Sequence, residues 1–314
     1  MVATPKKVIL DCDPGHDDAF AMFVAHGHPA LEVVAVTTVC GNQTVERVTR
    51  NALGVGELAG MHAVRFAQGA ARPLIKPHQA APEIHGDSGL DGPSLPQTSI
   101  SLDPRSAAHL IVDLVMASEP GEITLVATAA LTNLALALRL EPRIAERVAE
   151  VAIMGGAIGQ GNVTASAEFN IYVDPHAARI VFEAPWKIVM MGLDVSHQAL
   201  ATPAVLDRLT SLSSPVGDFC VELLDYFGAQ YLQHQGFESP PVHDLCPVIY
   251  LIDPTVFNLV RAPVAVDTTS ELTMGRTVVD LRLPAAPDCR HQVATGLDHS
   301  RFFDIVVESI GRLG

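Results

Sequence analysis

The sequence predicts an α/β fold: one domain with a Rossmann-like, mostly parallel central sheet, helices on both faces, and a site at the C-terminal ends of the strands. Three observations lead there. Short β-branched, apolar segments alternate with amphipathic ones through the first two-thirds of the 314 residues, the pattern of repeated β-α units. The apolar segments are nearly unbroken, as strands covered on both faces are. The residues able to do chemistry follow directly after those segments, where open parallel sheets bind ligands.

Residues 8–12 begin with Val8-Ile9-Leu10 and read as a buried strand. Residues 18–26 read as a helix, with Ala19, Met22, Phe23 and Ala25 on its apolar side. Residues 32–39 are β-branched and strand-like. Residues 43–59 follow as a helix, with Val45, Val48, Ala52, Val55 and Leu58 spaced for one face. Residues 63–66 read as a strand. Helices over 106–117, 130–138 and 175–182 then alternate with strands over 122–127, 148–154 and 187–191. Residues 199–235 read as mostly helical, with Val221, Leu224, Phe227 and Tyr231 sharing a face. A helical run over 245–252, a strand over 271–283 and a closing helix over 301–313 complete the chain. No linker divides it, so one domain spans 1–314. The stretch 72–101, rich in Pro, Gly and polar residues, is long enough to expect a functional, flexible loop covering the site.

Composition narrows the function. The chain is 48% hydrophobic and 18% charged, enough to bury a large core. A formal net charge of -15 at pH 7 argues against a nucleic-acid partner, whose phosphates it would repel. Cys12, Cys40, Cys220, Cys246 and Cys289 are scattered, without a CxxC or CxxH pair. Neither zinc nor a disulfide framework is supported, and a reduced, cytoplasmic setting is expected. The apolar run behind Lys6-Lys7 is cut short by Asp11, too soon for a signal segment or a membrane span, so no membrane partner is expected.

The chemistry is concentrated in Asp11-Cys12-Asp13-Pro14-Gly15-His16-Asp17-Asp18. Crowded carboxylates protonate or find a cation, and an oxygen-only set suits a hard ion such as Ca2+ or Mg2+. Asp244, in Val242-His243-Asp244, could complete that set or cap the helix that follows. Asn162, Glu168 and Asn170, around Phe169, offer the donors and acceptors that sugar hydroxyls need. Cys40-Gly41-Asn42, Thr128 and Gly155-Gly156 follow other strands and converge on the same end of the sheet. The sequence carries no phosphate-binding P-loop, no Gly-x-Ser-x-Gly elbow and no His-Glu-x-x-His helix.

Residues 11–19 resemble the DxDPGxDDA signature of the inosine-uridine-preferring nucleoside hydrolases. Thr37–Asn42, His85-Gly86-Asp87-Ser88-Gly89, Leu131-Thr132-Asn133, Met154-Gly155-Gly156, Glu168-Phe169-Asn170 and His243-Asp244 follow in the family's order. The resemblance covers nearly the whole chain. It implies hydrolysis of the N-glycosidic bond of ribonucleosides, with Ca2+ held by Asp13, Asp18, Asp244 and the main-chain carbonyl of Thr128. It implies that Asp13 is the general base toward water, with Asn42 beside it, and that His243 is the proton donor to the leaving base. Asp17, Asn42, Asn162, Glu168 and Asn170 resemble the ribose-binding and water-orienting residues. Met154 and Phe169 are placed against the substrate, and His85, Phe227, Tyr231 and His243 near its base. Relatives of this kind are homodimers or homotetramers.

The chain departs from the family in two places. Ala129-Ala130 replaces a common Gly-Gly, which would strain the backbone if either position needed positive φ. Phe227 stands where purine-active relatives often have the first of two tyrosines. Trp186, the only tryptophan, reads as core. Alternatives within the resemblance are a pyrimidine-preferring hydrolase and an inactive calcium-dependent nucleoside-binding protein. A haloacid dehalogenase-type phosphatase also opens on a strand ending Asp-x-Asp, but the Pro14-Gly15 and Asp17-Asp18 that follow do not match it.

Overall fold

A computed structural model describes residues 4–313; Met1–Ala3 of the amino-terminal stretch lie outside them. One sheet organises the chain. Its strands are β1 (Lys6–Cys12), β2 (Leu31–Thr38), β3 (Arg65–Gln68), β4 (Ile123–Ala127), β5 (Val151–Met154), β6 (Ile188–Met191), β7 (Phe257–Arg261) and, after the short strands β8 (Val264–Val266) and β9 (Thr277–Val279), β10 (His291–Leu297). The order across the sheet is β3-β2-β1-β4-β5-β6-β10-β7. Every neighbouring pair is parallel except β10 with β7, which is antiparallel at the edge.

The period-2 alternation of a strand decides which residue feeds which core layer. Val8, Leu10 and Cys12 of β1 join the layer built with the helices His16–Gly27, Pro215–Gln235, Leu245–Ile252 and His299–Gly311. Ile9 joins the opposite layer, with the helices Ala107–Ala117, Thr132–Leu140 and Pro175–Glu183. Trp186 is 2% exposed in that second layer, as core. The helix His16–Gly27 was expected to bury one side only. Instead His16 through Ala25 are all buried, because four other helices pack around it. Its first turn reaches the site while its remainder lies inside the protein.

Several expected elements differ in the structure. The strand over 271–283 shrinks to β9, which pairs with β8 in a separate ribbon. The last two strands of the main sheet, β7 and β10, had no clear apolar signal, since both lie toward the edge and are largely half-exposed. The helical stretch 199–235 breaks into Pro203–Thr210 and Pro215–Gln235. Ser213 adopts φ 48° there, and the Ser214 side chain caps the second helix by accepting from Gly217 N–H. The stretch 72–101 has little regular structure beyond the short helix Pro82–His85, yet it is tied down at several points. Ala81 N–H donates to Asn42 O at 3.0 Å, Gln43 Nε2 to Gly86 O at 3.1 Å, and His78 Nε2 lies 2.9 Å from Gly41 O. Among the described residues, no helix is long and apolar enough to cross a membrane.

Candidate active site

The loops after β1, β2, β4 and β5 meet at one end of the sheet around a cavity of about 620 Å3, part of it open to solvent. Asp17, Asn42, His85, Thr128, Met154, Asn162, Glu168, Phe169, Asn170, Tyr231, His243 and Asp244 line it, with Ala81, Glu83 and Ile84 of the 72–101 stretch along its rim. Asp13 and Asp18 are wholly buried against these lining residues.

The carboxylates are held by few donors and by no basic side chain. One oxygen of Asp13, Oδ2, accepts from Asn42 N–H at 2.6 Å; the other, Oδ1, is buried with no hydrogen-bond partner. Asp18 accepts from Gly15 N–H at 3.0 Å and from Thr128 Oγ1 at 2.8 Å, so a cap on its own helix also ties it to β4. Asp11 accepts from Thr37 Oγ1 at 2.6 Å and Asn133 Nδ2 at 2.8 Å, while its Oδ2 has no partner. Among the described residues, none of these aspartates nor Asp244 pairs with Lys or Arg.

Burial therefore dominates their ionisation, and mutual repulsion adds to it. Burial, then the Asp18 charge, pushes Asp13 well above the carboxylate range. Burial and the other aspartates do the same to Asp244. Asp17 rises to about 8 and Asp11 to about 7, burial being the largest cause in each. One oxygen each from Asp17, Asp18 and Asp244 lies within 4.8 Å of the others, close enough to share a metal ion. The resemblance assigns Asp17 to the sugar and Asp13 to the ion. The geometry groups Asp17 with Asp18 and Asp244, and leaves Asp13 beside them with a free oxygen.

The opposite wall is built on the short helix Phe169–Val173. Glu168 caps it: its carboxylate accepts from Asn170 N–H at 2.8 Å, Ile171 N–H at 3.1 Å and Gly156 N–H at 2.9 Å. Burial lifts it to about 7 against those three donors. Asn170 Nδ2 donates to Thr128 O at 2.9 Å and to Met154 O at 3.2 Å. One amide thereby joins the loops after β4 and β5. Asn162 Oδ1 accepts from Phe169 N–H at 2.9 Å, closing the loop in front of that helix.

At the far side, His243 Nε2 lies 2.9 Å from Tyr231 Oη, and its Nδ1 lies 2.7 Å from Ser196 Oγ. Burial holds His243 down near 3. His85 Nδ1 sits 3.2 Å from His16 Nδ1, and burial, then the His16 ring, keeps it well below the usual histidine range. Phe227 is a correction. It is 1% exposed, stacks on His16 with ring centroids 5.0 Å apart and meets Tyr231 edge-on, so it backs the cavity wall rather than forming it. The strain expected at Ala129-Ala130 is absent as well: Ser213 alone among the described non-glycine residues has positive φ. Ser196 and His16 escaped the sequence reading as site residues. A serine before a histidine carries no pattern, and His16 was legible only as a member of its motif.

A family model described as inosine-uridine preferring nucleoside hydrolase matches residues 8–304. The inosine-uridine preferring nucleoside hydrolase of Crithidia fasciculata is 47% identical over 311 residues, covering 99% of each chain. A pyrimidine-specific ribonucleoside hydrolase from Shewanella sp. (strain ANA-3) is 40% identical over 306 residues, 97% of this chain and 96% of that one. The solved purine-preferring ribonucleoside hydrolase of Gardnerella vaginalis superposes with a TM-score of 0.92 at 32% identity, covering 98% of this chain and 99% of that one. With a cavity walled by amides and floored by carboxylates, the chain belongs to the inosine-uridine preferring nucleoside hydrolases and hydrolyses ribonucleosides at the N-glycosidic bond.

Proposed function

We propose that the protein is a calcium-dependent hydrolase that releases ribose and the free base from inosine, uridine and related ribonucleosides, in nucleoside salvage or catabolism. The observation that carries this is the floor of the cavity: buried carboxylates with no basic partner, and one carboxylate oxygen, Asp13 Oδ1, with no partner at all. An all-oxygen donor set of this kind fits a hard dication. The resemblance assigns it to Asp13, Asp18, Asp244 and the carbonyl of Thr128, and oxygens of Asp17, Asp18 and Asp244 lie close enough together to share one ion. When bound, Ca2+ supplies the positive charge that keeps these carboxylates ionised and anchors the ribose diol.

The chain's own residues do the rest. Asn42 N–H fixes one oxygen of Asp13, so the free oxygen is aimed to take a proton from an attacking water. That water's oxygen bonds to C1′ as the C1′–N bond breaks through an oxocarbenium-like state. A single carboxylate activating water implies inversion at C1′. Asp17, Asn42, Asn162, Glu168 and Asn170 hold the sugar, with Met154 and Phe169 against it. The His243–Tyr231 pair, hydrogen-bonded on the wall, supplies the proton donor to the departing base, and His85 closes that end.

A pyrimidine preference is the second reading. It is favoured by the 40% identical relative named pyrimidine-specific. Assays of ribose release from inosine, uridine and cytidine with calcium test both. Turnover of at least one is expected, with 2′-deoxyuridine slower than uridine by about 10²-fold or more, and with Asp13→Ala inactive. Tight nucleoside binding by calorimetry without ribose release over hours would leave a binding protein instead.

A further inference from the structure

Ser196 ends the short helix Leu193–Ser196 just after β6 and is 0% exposed. Its side chain is outside everything assigned so far. Its hydroxyl lies 2.7 Å from His243 Nδ1, and His243 Nε2 lies 2.9 Å from Tyr231 Oη. Three side chains from three separate elements thus form one hydrogen-bond chain. The chain ends at Tyr231, on the cavity wall where the departing base must sit.

Such a chain has two possible polarities, and the ends decide between them. A neutral imidazole donates from one nitrogen and accepts at the other. If His243 Nδ1 carried the hydrogen, Ser196 Oγ would accept it, and the serine's own hydrogen would need another acceptor. Among the described residues His243 Nδ1 is the one side-chain partner of Ser196 Oγ. The reversed chain would therefore bury an unpaired donor, which proteins avoid. In the other polarity Ser196 O–H donates to Nδ1, Nε2–H donates to the Tyr231 oxygen, and the phenol hydrogen is left free for the cavity. Phe227, one turn earlier, carries no hydroxyl that could take this place.

We infer that Ser196 is a positioning residue for leaving-group activation: it sets the polarity of the Ser196–His243–Tyr231 chain so that the Tyr231 hydroxyl is the donor presented to the departing base. This rests on the hydrolase reading above. No bond forms or breaks at Ser196; the hydrogen bond at the base strengthens as negative charge gathers there.

The test compares leaving groups. Uridine and inosine need a donor at the base, whereas p-nitrophenyl riboside expels a stable anion without one. Ser196→Ala is expected to lower kcat on uridine and inosine about tenfold, the low end for loss of an orienting partner, with KM within about twofold. Turnover of p-nitrophenyl riboside should stay within about threefold, which also shows that the variant is folded. Ser196→Thr, which keeps the hydroxyl, should restore nucleoside turnover. In a His243→Ala background, Ser196→Ala should cost nothing more. Equal losses on nucleosides and p-nitrophenyl riboside would overturn the inference and leave Ser196 a packing residue. So would undiminished nucleoside turnover. Wild-type protein that releases no ribose from either nucleoside would sink the hydrolase reading, and this inference with it.

Discussion

Gly41 is where the geometry of Asp13 can be moved with one methyl group. A Cβ built on Gly41 would lie 1.9 Å from Asp13 Oδ2 and 2.8 Å from its Cγ. Ordinary contact begins near 3.4 Å, so in Gly41→Ala the carboxylate must retreat by about 1.5 Å. The clash is with a side chain, so the fold can absorb it by turning Asp13 aside. That movement breaks the 2.6 Å bond from Asn42 N–H, a charge-assisted bond whose loss costs about 1.5–3 kcal/mol. Reduced freedom in the unfolded chain returns about 0.4–1 kcal/mol. The variant should therefore melt a few degrees lower and remain folded. Catalysis should suffer far more, because a misplacement of about 1 Å at a reacting group costs about 10²-fold. We expect kcat/KM for uridine or inosine to fall by about 10²-fold or more, roughly 2.7 kcal/mol in the barrier. Ribose release and a thermal melt on the same preparation read both quantities. A folded Gly41→Ala protein within threefold of wild type would refute the reasoning, since the position of Asp13 would then not limit the reaction.

Three further outcomes follow from particular contacts. Dialysis against a chelator should abolish ribose release and lower the melting temperature, and calcium at about a hundred times its dissociation constant should return about 2.7 kcal/mol of stability; full activity without added metal would contradict the assigned role of the carboxylates. Ala129→Gly should leave kcat/KM within about twofold, because Ala129 has no positive φ to relieve, and should cost about 1–2 kcal/mol through lost methyl burial and greater unfolded-state freedom; denaturant melts would read it. Asp103 is held down near 2 by hydrogen bonds from Arg105. A folded value below the ordinary 3.8 contributes stability that is complete above about pH 4 and is lost as pH falls through about 2. The melting difference between wild type and Asp103→Asn should therefore be constant at neutral pH and vanish in strong acid; a difference that grows on acidification would reverse the sign and refute it.

The inner strands and the helices that cover them were legible because burial on both faces leaves an unbroken apolar run, as in β1, β4 and β6. The sheet's far edge was not. β10 has the burial of an edge strand over most of its length, so period and composition carried little signal. The site divides in the same way. Carboxylates close together in sequence stay close in space whatever the fold, so the acidic turn announced itself. Contacts between distant segments did not: Ser196 with His243 spans 47 residues, and His16 with His85 spans 69. Phe227 was placed near the base by the resemblance alone; a helical face pattern cannot tell which of two aromatic residues one turn apart reaches a cavity and which backs it.

What the acidic turn demands can be weighed from local structure alone. Asp17 and Asp18 occupy the first turn of the helix His16–Gly27, where the positive end of the helix dipole favours negative charge by about 0.3–1 kcal/mol, and up to about 2 kcal/mol in buried settings. Burial, then the Asp18 charge, nonetheless lifts Asp17 from 3.8 to about 8, against the direction in which the helix terminus acts. The helix terminus loses that contest, and no basic side chain supports it. Either the carboxylates hold protons, or a cation sits among them. Protonated, Asp13 could not accept a proton from water, and the amides of Asn42 and Asn170 would surround an inert cavity. A base at Asp13 therefore requires positive charge beside Asp17, Asp18 and Asp244, which is why ion and base have to be tested together: restoring calcium to metal-free protein should recover turnover in the wild type and leave Asp13→Ala inactive.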